Sequence, residues 1–502
     1  MKYKEQDLLD SLKEETILEQ LSALSGWDAL TGMPQDSGHF RSEVDAYLAE
    51  KQFLVATQTK RRDMLAYFDD HLNELSDLGR EIFPKVKKAY ERFAVLPQKD
   101  YVDFNKTMSL AQNYWAQARQ ENQYAIFEPY LKQLIQYEKQ FIPLWQKDEK
   151  TPYDVLLNQY EPGLTVEKLD QVFDTLKKGI MTLRKKIMTS DVEIDVSFLQ
   201  RHITKKDQKQ YALNAVQRLG YNLDKGRLDD TIHPFMEALN RDDARITTRW
   251  AENQAQMAVL GIFHEAGHGL FEQNVNSKYD WVRAVLPISM SIHESQSLFN
   301  EVMIGRTRAF WRIEYPKIQK DFHGIWDDIT FDQFYAAWMK TEATLIRTEA
   351  DPLTYPLHII IRYEIEKAIF NDHLDVKKIP ELWREKYQEY LGLEVPDDLT
   401  GVLQDIHWAG GSFGYFPSYA LGHLYAAQFY HAMSQQMDFQ AIFESGDYEP
   451  IFSWRAQHIW QFGGAKDPAD ILKEATGEQL NPQYWLDFMN KIYTDIYQIG
   501  DN

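Results

Sequence analysis

Apolar residues recur at three- and four-residue steps along most of this chain, and that periodicity constrains its fold more than any other feature. Residues 8–24, 78–96, 130–145 and 166–187 each carry an apolar stripe with charged residues between. Such stripes belong to helices that bury one face and solvate the other. Prolines punctuate the pattern at Pro34, Pro97, Pro129, Pro152, Pro162, Pro234, Pro287, Pro352 and Pro356. No Ser/Gly-rich linker, low-complexity tract or internal repeat divides it. The expectation is a mainly α fold, one domain over residues 1–502, able to form two lobes around a deep cleft. Strand signals are few: residues 244–250 (ARITTRW) are rich in β-branched side chains, and residues 192–199 (VEIDVSFL) offer a second run. A few short strands beside a helical site would present an edge to which a peptide backbone can pair.

Composition narrows the partners. A formal net charge of −21 argues against nucleic acid and anionic membranes, since phosphate binding needs clustered Lys and Arg. The N-terminal stretch is charged and amphipathic, and no long uninterrupted apolar run appears. A soluble, cytoplasmic protein is expected. There is no cysteine, so any metal must be held by His, Asp or Glu.

Residues 263–273, FHEAGHGLFEQ, supply such ligands. Met257, Leu260, His264, His268 and Phe271 fall at helical steps and share one face. His264 and His268 then project one turn apart, a separation that a single zinc ion can bridge. Glu265 is offset by about 100° around the helix, beside the metal rather than on it, where a carboxylate can act as general base. A catalytic zinc usually takes a third protein ligand. The helical stretch 291–305 (SIHESQSLFNEVMIG) offers Glu294 and Glu301, with apolar flanks that make an unpaired carboxylate costly. Glu294 is the preferred ligand and Glu301 the competitor.

Further segments stand in a recognisable order. His293-Glu294-Ser295 follows the His-Glu-x-x-His pattern, and His233-Pro234-Phe235 and Asp243-x-Arg245-x-Thr247 precede it. Ile361-Arg362-Tyr363-Glu364 and Gly401-x-x-Gln404-Asp405-x-His407-Trp408 come after, with Trp27-Asp28-x-x-Thr31-x-Met33-Pro34 and Tyr160-Glu161-Pro162-Gly163 far upstream. Together these resemble the M32 family of zinc carboxypeptidases, the thermostable carboxypeptidase group, over essentially the whole chain. The resemblance implies a nearly all-α, cleft-containing metallopeptidase fold that releases C-terminal residues with broad preference. It also implies a homodimer, active with Zn²⁺ or with Co²⁺ in its place. By the family pattern the ligands are His264, His268 and Glu294, the general base is Glu265, and Glu301 becomes a residue behind the ligands.

A carboxypeptidase must read a free chain end, which calls for a cation matched to a carboxylate. Arg362, in an unusually apolar helical run, is the expected receptor, supported by the resemblance. Oxyanion stabilisation needs aimed donors; by analogy with related helical metallopeptidases, His407 and Tyr415 fill that role, with Tyr419 as a substrate contact. Arg245 shares a strand face with Asp243 and Thr247, where it can line the cleft or form a structural ion pair. His233 is open between substrate contact and packing. Two other readings remain at this level: an oligopeptidase or dipeptidyl-carboxypeptidase with the same metal site, and a non-catalytic helical scaffold with a structural metal.

Overall fold

In the computed structural model of the chain, residues 3–500 are described; Met1, Lys2, Asp501 and Asn502, the outermost residues of the expected 1–502 domain, lie outside the described residues. Helices dominate, as the periodicity requires, and one small sheet interrupts them between residues 228 and 248. The buried apolar side chains form one continuous cluster that runs from Leu8 to Tyr497. Among the described residues no helix is long and apolar enough to cross a membrane.

The sheet has the order β1-β3-β2, with β1 Leu228–Asp230, β2 Met236–Asn240 and β3 Asp243–Thr248. β1 runs parallel to β3, with Leu228 opposite Ile246, and β2 antiparallel to it, with Met236 opposite Ile246. The β-branched run 244–250 thus supplies the central strand, and β2 leaves one edge unpaired in the sheet. Residues 192–199, expected as a strand, are not one: the chain is irregular and closes in a short 3₁₀ turn, Ser197–Gln200. The Asp195 side chain accepts the Ser197 N–H at 2.8 Å, and this local bond curls the backbone where a strand would need a partner.

Pro97, Pro152 and Pro356 sit at helix starts as expected, where a missing N–H costs nothing. Pro129 does not break its helix, which runs from Tyr124 to Trp145. There the buried face of Phe127, Leu131, Leu134 and Ile135 outweighs the loss of one backbone hydrogen bond.

Four helices carry the site. The histidine helix, Ala255–Gln273, lies on the sheet and is buried around most of its circumference. The glutamate helix, Met290–Leu298, crosses it closely: a Cβ on Gly267 would stand 2.3 Å from the Gln296 carbonyl oxygen, so the glycine of the His-Glu-Ala-Gly-His motif permits the approach. The arginine helix, Tyr355–Asn371, and the tyrosine helix, Pro417–Ser434, close the other side. Gly422 of the tyrosine helix makes room for Glu294, whose Cγ would lie 2.5 Å from an added Cβ.

Buried carboxylates fasten these elements. Glu161 accepts hydrogen bonds from Ser291 N at 2.8 Å and from the hydroxyls of Ser289, Ser291 and Ser418, tying the glutamate helix to the tyrosine helix. Glu366 accepts from Trp408 Nε1 and Gly414 N, both at 2.7 Å, and from the Tyr153 hydroxyl at 2.6 Å. It holds both ends of the loop between His407 and Tyr415. The upstream motifs also converge: Trp27 packs on Phe235 at 5.3 Å between ring centres, and the Arg245 guanidinium lies 5.6 Å from the Trp27 ring.

Candidate metal centre and the cleft around it

One helical turn brings the rings of His264 and His268 to 4.9 Å between centres. Both Nε2 atoms point at the same oxygen, Glu294 Oε2, at 3.8 Å and 3.5 Å. These ligand atoms of His264, His268 and Glu294 all lie within 4.8 Å of one another, the group among the described residues that can hold a metal ion. Three inward-facing donors with N/N/O chemistry and no thiolate suit a catalytic divalent ion of the zinc type.

The surrounding charges fit that ion. Glu301 Oε2 sits 2.9 Å from His264 Nδ1, so Nδ1 carries the proton and Nε2 keeps its lone pair for a metal. Glu294 and Glu301 therefore address opposite nitrogens of one ring. They can do so because the helix does not continue regularly between them: after Leu298 it widens into a π turn, Phe299–Ile304, a departure often found at functional sites. Burial alone would lower the pKa of His264, but with no ion between them Glu294 and Glu301 push it up to about 10; a metal would take the place of the Nε2 proton. Burial would raise Glu294, yet His264 and His268 draw it down to about 2. The cluster is a buried anionic nest that calls for a cation. His268 is pushed down to about 3, chiefly by burial, and its ring stacks on His293 at 4.4 Å. His293 is held in turn by Glu272 at 3.1 Å.

Glu265 is 7% exposed. Burial pushes its carboxyl up to about 7, with His264 opposing and Glu294 and Glu301 adding to the rise. A buried carboxylate one residue along the helix from a ligand histidine is placed to accept and return a proton.

The tyrosine cluster adjoins this centre, since the charge of Glu294 acts on Tyr355, Tyr415 and Tyr419. His407 Nε2 lies 3.2 Å from the Tyr419 hydroxyl, and its ring is 5.5 Å from that of Tyr415. Tyr415 and Tyr419 meet edge to face at 5.3 Å. Burial lowers His407 to about 4, keeping it neutral, and raises Tyr415 to about 12, keeping it a donor.

Arg362 is fully buried behind this cluster. Its nitrogens are engaged by Asp405 Oδ2 at 2.7 Å, the His358 carbonyl at 2.8 Å and Gln404 Oε1 at 3.2 Å, and Trp383 covers its face. The guanidinium that reaches the tyrosines is Arg347. It shares Asp405, at 2.8 Å, donates to the Tyr355 hydroxyl at 2.7 Å, and lies 5.1 Å from the Tyr419 ring. An Ile-Arg pair occurs twice in the sequence, at 346–347 and 361–362, and only the apolar neighbours of the second hinted that it would be sealed in the core. Arg245 is held by Asp243 through two hydrogen bonds, at 2.7 and 2.8 Å. Thr247 faces Phe235, bonding its N–H and carbonyl at 2.8 Å, and His233 is exposed in the turn before β2.

Comparison with known proteins follows the same lines. The family model described as carboxypeptidase Taq (M32) metallopeptidase matches residues 7–493. Carboxypeptidase 1 of Bacillus subtilis is 41% identical over 494 residues, covering 98% of each chain. Thermostable carboxypeptidase 1 of Thermus thermophilus is 34% identical over 504 residues, again covering 98% of each. The crystal structure of the M32 carboxypeptidase from Deinococcus radiodurans superposes with a TM-score of 0.94 at 29% identity, covering 98% of this chain and 99% of that one.

Proposed function

Since the chain belongs to the M32 metallocarboxypeptidase family, we propose that it removes residues singly from the free C-terminus of peptides, with Zn²⁺ held by His264, His268 and Glu294 and Co²⁺ able to replace it. The observation that carries this reading is the convergence of two imidazole nitrogens and one carboxylate oxygen within 4.8 Å, with Glu265 beside them and an arginine facing the adjoining tyrosines. An ion held there supplies Lewis acidity and makes a nearby water a better acid.

The chain's own residues do the rest. Glu265 takes the proton of the attacking water and delivers it to the leaving amine. Tyr415, with His407 and Tyr419 holding its surroundings, donates to the carbonyl oxygen as negative charge develops on it. Arg347 pairs with the terminal carboxylate; Asp405 orients it, and Arg362 fixes Asp405 from behind. The open edge of β2, beside the histidine helix, offers backbone groups to the upstream part of the peptide. Arg245 serves this edge indirectly, by anchoring β3 to Trp27. A cytoplasmic homodimer completes the proposal and rests on the sequence reading.

The arginine also separates this activity from an oligopeptidase with the same metal site. A peptide and its C-terminal amide, supplied at equal concentration, should differ strongly in rate. Equal cleavage of the two would overturn the carboxypeptidase mechanism in favour of the oligopeptidase.

A further inference from the structure

Glu138, on the helix Tyr124–Trp145, is a buried acid outside the machinery described above. It is 5% exposed, and its Oε2 is buried without a hydrogen-bond partner. A buried carboxyl without a hydrogen-bond partner is costly, and only the charge of Arg92 acts to offset this one. It does not face solid core, however. It lines a cavity of about 190 Å³, a size that fits a short aliphatic chain rather than a single water.

The walls of that cavity are aromatic. Phe104, Phe141 and Trp145 succeed one another at 5.5 and 5.6 Å between ring centres, and Phe93 and Tyr101, 5.9 Å apart, add to the lining. Gly411, in the left-handed conformation at φ +69°, closes another side because a Cβ there would stand 2.9 Å from Phe104. The outer end carries Arg92, which is exposed, donates to Gln159 and lies 5.9 Å from the Trp145 ring. Ring faces attract cations, and the attraction grows when water is excluded.

We propose that this cavity is a second binding site, for an organic cation: an ammonium or guanidinium at the end of a short aliphatic chain, paired with Glu138 and flanked by the aromatic walls. Methylenes suit the rings, and the α-carboxylate of a free amino acid would meet Arg92, whereas that of a peptide's terminal residue stays with Arg347 and only its side chain enters the cavity. Lysine and arginine, free or as a peptide's terminal residue, have this chemistry. Burial pushes the Glu138 carboxyl up to about 8, with Arg92 opposing, and an arriving cation would favour its ionised form. The cavity also adjoins the loop that carries the proposed catalytic groups. Gly410 and Gly411 belong to that loop, and Tyr160, a further lining residue, meets Tyr415 edge to face at 5.2 Å.

The test is calorimetric titration of the full chain with n-butylammonium and with n-butanol, a neutral ligand of the same shape. The wild type should prefer the cation by roughly tenfold or more, and lysine should be preferred over norleucine in the same sense. Glu138→Gln should abolish both preferences while circular dichroism stays unchanged. Equal binding of cation and alcohol by the wild type, a comparison that needs no variant, would overturn the proposal. So would absence of binding, or undiminished preference in a folded Glu138→Gln protein. Kinetics then assign the source of the cation. If the substrate's own terminal residue fills the site, n-butylammonium competes with a lysine-ended peptide, and Glu138→Gln lowers kcat/KM for it relative to a norleucine-ended one. If a free cation fills it, n-butylammonium binds without raising KM for the norleucine-ended peptide. Because the titration reads binding alone, its outcome is separate from that of the peptidase mechanism.

Discussion

Glu301 offers the sharpest test of how the metal centre is built, because it touches a ligand and not the ion. Its Oε2 is 2.9 Å from His264 Nδ1, and its other oxygen lies 3.6 Å from Arg306. The carboxylate therefore holds the imidazole in the tautomer and orientation that free Nε2. Removing such a partner costs about 10- to 100-fold in metal affinity, or about 1.4 to 2.8 kcal/mol. Glu301→Gln keeps the size and one acceptor but loses the charge, so its zinc affinity should fall by about tenfold. Glu301→Ala leaves Nδ1 without a partner and should fall by about 100-fold. Competition against a chromophoric chelator at fixed pH measures both, with circular dichroism to establish that each variant is folded. Affinities within about twofold of the wild type in both variants would refute the argument that Glu301 tunes His264.

Glu265→Gln should retain metal and fold but lower kcat by about 10²- to 10⁴-fold, checked by metal content and steady-state rates; unchanged hydrolysis would remove Glu265 as the base. Arg347→Met should reduce kcat/KM for free-acid peptides by about 10- to 150-fold, the worth of hydrogen bonds to a charged group, while leaving the slow cleavage of an amidated peptide nearly unchanged. Glu366→Ala leaves the Trp408 and Gly414 N–H groups without their acceptor and should destabilise the fold by about 2–6 kcal/mol, read from denaturant unfolding. The pH dependence of stability should show Glu138. Its carboxyl keeps a proton to about pH 8 in the fold, against an ordinary value of 4.5. The unfolded chain thus releases that proton first, and stability falls as pH rises from 4.5 through 8. Glu138→Gln should flatten that fall in thermal melts, and an unchanged slope would count against it.

Much of the centre could be read from local pattern. A helix fixes the relation of residues one turn apart, so His264, His268 and the offset of Glu265 follow from spacing, and β-branched side chains marked the central strand. What escaped the reading depends on long-range packing. The π turn after Leu298, which turns Glu301 to the far side of His264, leaves no periodic trace in an apolar stretch. Nor could spacing separate Arg347 from Arg362, since the difference is depth: one guanidinium reaches the tyrosines and the other lies behind Asp405. Glu161 stood in a family-like segment with no role attached, and Glu366 beside Arg362 drew no role of its own, until the fold brought three helices and a loop to their oxygens. Pro129 and residues 192–199 failed in the opposite way, where a local signal was overridden by burial in one case and by a side-chain turn in the other.

The central claim, metal-dependent hydrolysis directed by the free chain end, is tested most directly by timed digestion of one mixed-sequence peptide, with and without a chelator, read by mass. The expected result is a ladder of single-residue losses from the C-terminus that stops on chelation and resumes when zinc is restored. Internal cleavage products, or a ladder that persists without metal, would contradict it.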